Sequence, residues 1–508
     1  MANSSNGEEQ GHAFAQTLIA HIEDRGGRYL KDENGQLHVV IEGCRIPLFC
    51  SGENHLLARL IIEVCNVTTR TWAARSAIER LTVHAFDSAD RLRFRKFSAV
   101  SEDGQRLYVP TEGGALLLVS ENGLEIVANG DNEDRLWVEH PYSEPLRYSD
   151  SDSGDDVCEG LQTFERLLID TQACSDPAMR WMVAMNAGLF PYIRDLCPAR
   201  MILELIGPSQ CGKTTGAQRF TILHGLGDVQ IDVSVATLGN QGDIGLLVLD
   251  NKEQANFTQP LIDYCLRLAT GGERGRSYSD GRVRARAPGR PATIITTIEG
   301  VPKTELQSRC VTVQYGVTGQ ALPRAAIESD IRRSRHNVGT AIMWVLTRYF
   351  AIRGQTPSPN PIPAFEEHFQ ALCDLLRAYA FWADKPAGWS GEIIGRWNVL
   401  IRSREAEDDD LEHPISRTLR ESLTSSGKKT IFQNVPGTLH VTETAELLTL
   451  LQKLGIRDLQ LPKSPNGLSR RLSSGRFQSF TFLKPDTPGV PEVKRTSKKK
   501  PIGFFLPD

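Results

Sequence analysis

The middle of this 508-residue sequence predicts an α/β fold, a parallel sheet covered by helices on both faces. Three observations carry that expectation. From Met201 onward four runs, "MILELI", "IGLLVLD", "ATIIT" and "CVTVQY", are apolar on both faces, as buried parallel strands are. Segments with helical spacing separate them. The stretch "GPSQCGKT", Gly207 to Thr214, follows the first run directly and opens the helical segment "TTGAQRFTILHG".

That order of strand, loop and helix has a physical purpose. Gly207 and Gly212 let backbone N–H groups turn inward around phosphate oxygens, and the helix N-terminus adds partial positive charge. Lys213 would reach the β- and γ-phosphates of ATP, and the Thr214 hydroxyl would ligate Mg²⁺. Pro208, Ser209, Gln210, Cys211 and Thr215 complete the loop.

A carboxylate that holds the metal is expected at the end of a later apolar strand, and "IGLLVLD" supplies Asp250. An acid that positions the attacking water often follows such an Asp directly. Here Asn251 follows, and Glu253 is the nearest acid beyond it. The next strand, "PATIITTIEG", ends in Thr296 and Thr297, where a γ-phosphate sensor or a plain strand end would sit. Arg309 stands immediately before the fourth strand, the place of an arginine finger for a neighbouring subunit.

Between the second and third strands, "ATGGERGRSYSDGRVRARAPGRP" holds Arg274, Arg276, Arg282, Arg284, Arg286 and Arg290 with almost no opposite charge beyond Glu273 and Asp280. Arg282, Arg284 and Arg286 alternate, as along one face of a strand. A hairpin with that face outward would contact phosphates; the alternative is a solvated hairpin.

Taken together and in this order, the loop, Asp250, "LATGGERGR", "ITTIEG" and "SRCVTV" resemble the helicase domain of phage, plasmid and poxvirus-type primase–helicases, superfamily 3 within the AAA+ ATPases. The resemblance is best over 160–320. It implies a P-loop ATPase core, a ring, most simply a hexamer, with ATP between subunits, and an arginine-rich hairpin that grips single-stranded DNA in the pore. Two positions depart from the family pattern. A Thr stands where the sensor is usually Asn, and Asn251 replaces the second acid.

The flanks are read more coarsely. Residues 1–11 are polar and are expected to be a disordered leader. Residues 12–146 read as a separate α+β domain with a hairpin in "RYLKDENGQLHVV" and helical spacing in "ENHLLARLIIEVCNV" and "RTWAARSAIERLTVHAF". No primase signature is visible in it. "YSDSDSGDDVCEG" reads as an acidic linker over 147–160, and 321–405 as helical up to the acidic break "REAEDDD". Residues 411–508 read as a winged helix on duplex DNA. One helix begins at Thr442, and a second carries Arg470 and Arg471. The wing is basic at Lys494, Arg495, Lys498, Lys499 and Lys500.

A net charge of −4 makes any nucleic-acid surface a local patch. Ten scattered cysteines without a CxxC pair fit reduced thiols in a cytoplasmic protein, and no apolar stretch reaches the ~20 residues of a membrane helix. The sequence thus points to an ATPase acting on DNA in replication of a mobile element, as a helicase or origin-opening factor. Two rivals stay open: an ATP-gated switch in regulation or anti-phage defence, which Asn251 favours, and a structural DNA-binding protein stabilised by nucleotide.

Overall fold

The computed structural model describes residues 2–32, 35–42, 44–48, 55–140, 143–148, 154–174, 176–226, 238, 244–253, 256–271, 274–277, 283–287, 291–301, 304–316, 323–359, 361–410, 428–432, 435–443 and 501–507. The chain divides into two compact units, Met1–Val301 with Arg309–Asn398, and Pro302–Ser308 with Val399–Asp508.

At the centre of the first unit is a four-stranded, wholly parallel sheet. Its strands are Ile202–Ile206, Leu246–Leu249, Ala292–Thr297 and Cys310–Gln314, the four apolar runs of the sequence. Numbered by chain position their spatial order is 2-3-1-4, so Ile202–Ile206 lies between the third and fourth strands and does not touch the second. The third strand is buried at all six positions, which is why its sequence does not alternate. Ligands of such sheets gather at the carboxyl ends of the strands, near the point where the order reverses.

Helices cover this sheet. Pro177–Ala184 starts with Asp176 as N-cap, whose carboxylate accepts from Ala178 N at 2.8 Å, and Pro177 fills a first-turn position needing no donor. Past a π-turn and a short helix the chain ends its helical path at Leu196, before Pro198. The long helix Arg324–Ile352 packs on Gly154–Phe164, where Gly160 sits so close that a Cβ would lie 2.7 Å from the Ala341 methyl. Glu366–Trp382 and Trp389–Asp410 follow.

Among the described residues the N-terminal part holds three small sheets, one of them a parallel pair of Arg93–Lys96 with Leu136–Glu139. The expected hairpin pairs Arg28–Lys31 with Leu37–Ile41, and Cys44–Pro47 and Asp90–Arg91 complete a four-stranded sheet. Helices Ala2–Asp24 and Trp72–Ser88 cover it through Leu18, Ile22, Val39, Ile78 and Leu81. A four-stranded antiparallel meander runs from Ala99 to Val127.

Three boundaries differ from the sequence reading. Residues 2–11 of the expected leader lie in the helix Ala2–Asp24, where Gly11 packs so close to Ser76 that a Cβ would be 2.7 Å from that side chain. The linker over 147–160 is overrun from Gly154 by the helix Gly154–Phe164. The acidic break ends as helix, Trp389–Asp410, since Glu and Ala are strong helix formers. Residues 12–146 read in sequence as a domain of their own. They share one compact unit with the parallel sheet.

That join is specific. Arg194 is fully buried and donates to Ser98 Oγ at 2.6 Å and Lys96 O at 3.0 Å. Phe97 stacks on Tyr192, with ring centroids 5.1 Å apart, and meets the edge of His224. Arg335 donates to Glu144 Oε2 at 3.0 Å and to Leu223 O at 3.1 Å, closing the seam from the long helix.

In the second unit the described residues form a short helix, Thr304–Gln307, the last part of the helix Trp389–Asp410 from residue 399, and a three-stranded antiparallel sheet. Its central strand is Val435–Glu443, flanked by Lys428–Phe432 and Pro501–Pro507. Thr442, expected to start a helix, lies in that central strand, and the last strand of the expected wing pairs there. The two helices of the expected winged helix, with Arg470, Arg471, Lys494, Arg495 and Lys498 to Lys500, lie outside the described residues.

Among the described residues no helix is long and apolar enough to cross a membrane. Burial pushes the thiols of Cys174, Cys197, Cys265 and Cys373 up to about 12, which makes them neutral core side chains.

Candidate nucleotide site

The loop Gly207–Gly212 joins the carboxyl end of Ile202–Ile206 to the helix Lys213–Leu223. Gly207 is required sterically, since a Cβ there would stand 2.3 Å from Tyr315 O. Gly212 caps the helix with φ 91°, a left-handed conformation that suits glycine, and Gln210 adopts φ 64°. Two left-handed residues in one short loop turn successive amides toward the same side, the arrangement that binds anions. Pro208, Ser209 and Gln210 are exposed, while Cys211 is buried beneath the loop.

Lys213 is 8 % exposed, and its ammonium lies inside the loop, donating to Gly207 O at 2.7 Å and Pro208 O at 2.8 Å. A buried cation held by two carbonyl oxygens is under-neutralised and is positioned to meet an anion. Thr215 is half-buried on the first helical turn.

Asp250 stands directly after Leu246–Leu249 and is 4 % exposed. Its Oδ1 accepts from Thr214 Oγ1 and from Thr296 Oγ1, both at 2.6 Å. Thr296 Oγ1 in turn accepts from Asn251 N at 2.8 Å. Three of the residues singled out by sequence thus meet at one point, drawn from the helix after the loop, the end of the second strand and the third strand. Thr296 is committed to Asp250, which gives it an orienting place. Thr297, fully buried, accepts from Gly300 N at 3.0 Å and shapes the turn that follows.

This donor set fits a magnesium ion. A carboxylate and a hydroxyl converge on one spot beside a phosphate-type loop, all ligands are oxygen, and Mg²⁺ completes its shell with phosphate oxygens and water.

Asn251 has φ 52°, which an asparagine tolerates and a glutamate adopts only under strain. The turn there sends the chain back along the third strand. Lys252 N donates to Thr296 O at 2.9 Å, and Glu253 Oε1 accepts from Ile298 N at 3.0 Å.

Arg309 lies at the opposite edge of the sheet. Its carbonyl accepts from Ile202 N at 2.8 Å, so it neighbours the amino end of the strand whose carboxyl end bears the loop. Five residues of strand, roughly 16 Å, separate that neighbour from the loop. Its guanidinium faces the Phe365 ring at 6.0 Å, and Nε is buried without a hydrogen-bond partner. Arg309 is therefore not brought to its own chain's nucleotide loop.

The arginine-rich stretch is a hairpin, as its sequence suggests. Arg274–Ser277 pairs antiparallel with Val283–Ala287, with Arg276 opposite Arg284 and an irregularity between Arg274 and Arg276. Arg282 and Arg290 lie outside the described residues.

One participant left no sequence signal. Tyr315 seals the loop from below: its carbonyl abuts Gly207, and its hydroxyl donates to Gln172 Oε1 at 2.6 Å. Only the required glycine at 207 hints that another chain segment comes so near.

The parallel sheet with its glycine loop and following helix fits a P-loop NTPase-like fold. No protein-family model and no curated protein matches the chain. Solved structures that resemble it include "SCCmec type IV Cch - active helicase", at 10% identity over 94% of this chain and 92% of that one, with a TM-score of 0.46. The NrS-1 C-terminal region aligns at 11% identity over 97% and 98%, with a TM-score of 0.38. A full-length MCM homolog from Methanopyrus kandleri aligns at 13% identity over 63% and 83%, with a TM-score of 0.30.

Proposed function

We propose that this protein is an ATPase that couples nucleotide hydrolysis to movement on DNA, as a ring-forming helicase or origin-opening factor for a phage, plasmid or other mobile element. The observation that carries the proposal is the meeting of Thr214, Asp250 and Thr296 at the mouth of the glycine loop. In this reading Lys213 and the loop amides hold the β- and γ-phosphates. Thr214 and Asp250 hold Mg²⁺, which supplies charge neutralisation on the phosphates. Thr296 keeps Asp250 in its rotamer. Arg309, remote from its own loop, serves the site of the neighbouring subunit.

The hairpin supports the DNA half of the proposal. Its two described strands carry Arg274, Arg276, Arg284 and Arg286. A polyphosphate strand threaded past a ring of such hairpins is the anion this basic sequence suits.

The decisive experiment compares ATP hydrolysis by the purified protein with and without single-stranded DNA, alongside Lys213→Ala. DNA-stimulated hydrolysis lost in the variant supports a motor. Tight ATP binding with negligible turnover replaces it with a second reading, the ATP-gated switch, which the asparagine at 251 favours.

A further inference from the structure

We infer that Glu253 is the carboxylate that activates the attacking water. The inference rests on the ATPase reading above and supplies the acid that Asn251 does not.

The usual place for that acid, the residue after the metal-holding Asp, is closed to it in this chain. Asn251 occupies a left-handed turn at φ 52° and is exposed. The turn carries the chain two residues further and returns a carboxylate to the same edge of the sheet. Glu253 Oε1 is pinned by Ile298 N at 3.0 Å. Ile298 follows Thr297, which lies in register with Ile206, the last residue before the glycine loop. The anchor amide is therefore about one strand spacing, ~4.8 Å, from the strand that delivers the loop.

The second oxygen carries the argument. Glu253 Oε2 is shut off from solvent and, among the described residues, has no hydrogen-bond partner. A buried carboxylate oxygen without a donor is costly, and a fold keeps one where a donor arrives with the ligand. One oxygen fixed by a backbone amide and the other left to accept is the arrangement a general base needs. Asp250 does not fill this place, because its Oδ1 already accepts from two threonines.

In the step so assigned, Glu253 Oε2 accepts a proton from water as the water oxygen bonds to the γ-phosphorus. The bond from that phosphorus to the β,γ-bridging oxygen breaks, and its electron pair stays on ADP. The proton then passes from Glu253 to solvent, and phosphate leaves.

Glu253→Gln keeps the amide contact at Ile298 and removes the basic oxygen. Expected are an unchanged melting temperature, an ATP affinity within about threefold of the wild type, and a turnover at least ~100-fold lower, with intact ATP recovered from the protein. Glu253→Asp is expected to regain part of the rate. A Glu253→Gln protein that turns over at the wild-type rate overturns the inference and leaves the ATPase reading standing. Wild-type protein that binds ATP without hydrolysing it overturns the inference and moves the reading to the switch. Wild-type protein that does not bind ATP overturns the reading itself.

Discussion

Thr296 is the residue on which the site turns. Its hydroxyl donates to Asp250 and accepts from the Asn251 amide, so it fixes a carboxylate and a turn at once. Thr296→Val removes both bonds while keeping the shape, and leaves a buried carboxylate with one donor fewer. Hydrolysis is expected to fall by about 10- to 100-fold with ATP affinity changed far less, since the lost group acts through Asp250, the proposed metal ligand. Steady-state kinetics beside equilibrium binding of a fluorescent ATP analogue separates the two effects. Lys213→Ala is expected to do the opposite and abolish binding. The identity of these residues was legible in the sequence, because loop, Asp250 and Thr296 follow in a fixed order along strands. The bonds between them were not. Asp250 and Thr296 are 46 residues apart and meet only because the third strand slots between the first two. The left-handed turn at Asn251 was also invisible, since asparagine occurs in ordinary turns everywhere.

At the scale of elements, the hairpin and the fourth strand make separate predictions. Arg284 and Arg286 alternate on Val283–Ala287, away from the nucleotide loop in sequence. The double variant Arg284→Ala, Arg286→Ala is expected to weaken single-stranded DNA binding and to lower the slope of log affinity against log salt by about 1 to 2. DNA-independent ATPase should persist. An unchanged salt slope measured by fluorescence anisotropy would remove the hairpin from the DNA contact. Arg309 gives a different signature. Because it lies at the far edge of its own sheet, Arg309→Ala and Lys213→Ala proteins, each inactive, are expected to regain activity when mixed. Some interfaces then pair an intact loop with an intact arginine. Mixtures that stay as inactive as their components in an ATPase titration would sink the finger assignment. The strands themselves were easy to read, since buried parallel strands announce themselves as unbroken apolar runs. The helix starting at Gly154 was missed because its opening residues are Ser, Asp and Gly, which suit linkers equally well.

At the scale of the molecule, the seam between the N-terminal sheets and the parallel sheet was illegible. It is built from residues that look unremarkable one by one: Phe97, Tyr192, His224, Arg194 and Arg335. His224 sits in the middle, 2 % exposed, with Nε2 at 2.7 Å from Ala187 O and Nδ1 at 3.3 Å from the Tyr192 hydroxyl. Burial lowers its pKa to about 4, against 6.5 for a free imidazole. The folded state thus refuses a proton that the unfolded chain accepts. Stability is complete above about pH 6.5 and is lost as pH falls from there toward 4, by up to roughly 3 kcal/mol from this group. Melting temperature is expected to drop between pH 7 and pH 5, and His224→Gln should flatten that slope even if it lowers the starting value. Phe97→Ala opens the same seam and is expected to cost about 3–5 kcal/mol in denaturant unfolding.

His224 is also the C-cap of the helix that begins at Lys213. One rod therefore starts in the nucleotide loop and ends inside the aromatic seam, against Phe97. The parallel-sheet core is for that reason not a cassette. A gene fragment beginning at 154 encodes every strand and the whole glycine loop, yet it strands the guanidinium of Arg194 and bares Tyr192 and His224. Such a fragment should emerge insoluble, and recombination that swaps this core between chains must carry residues 93–147 along with it.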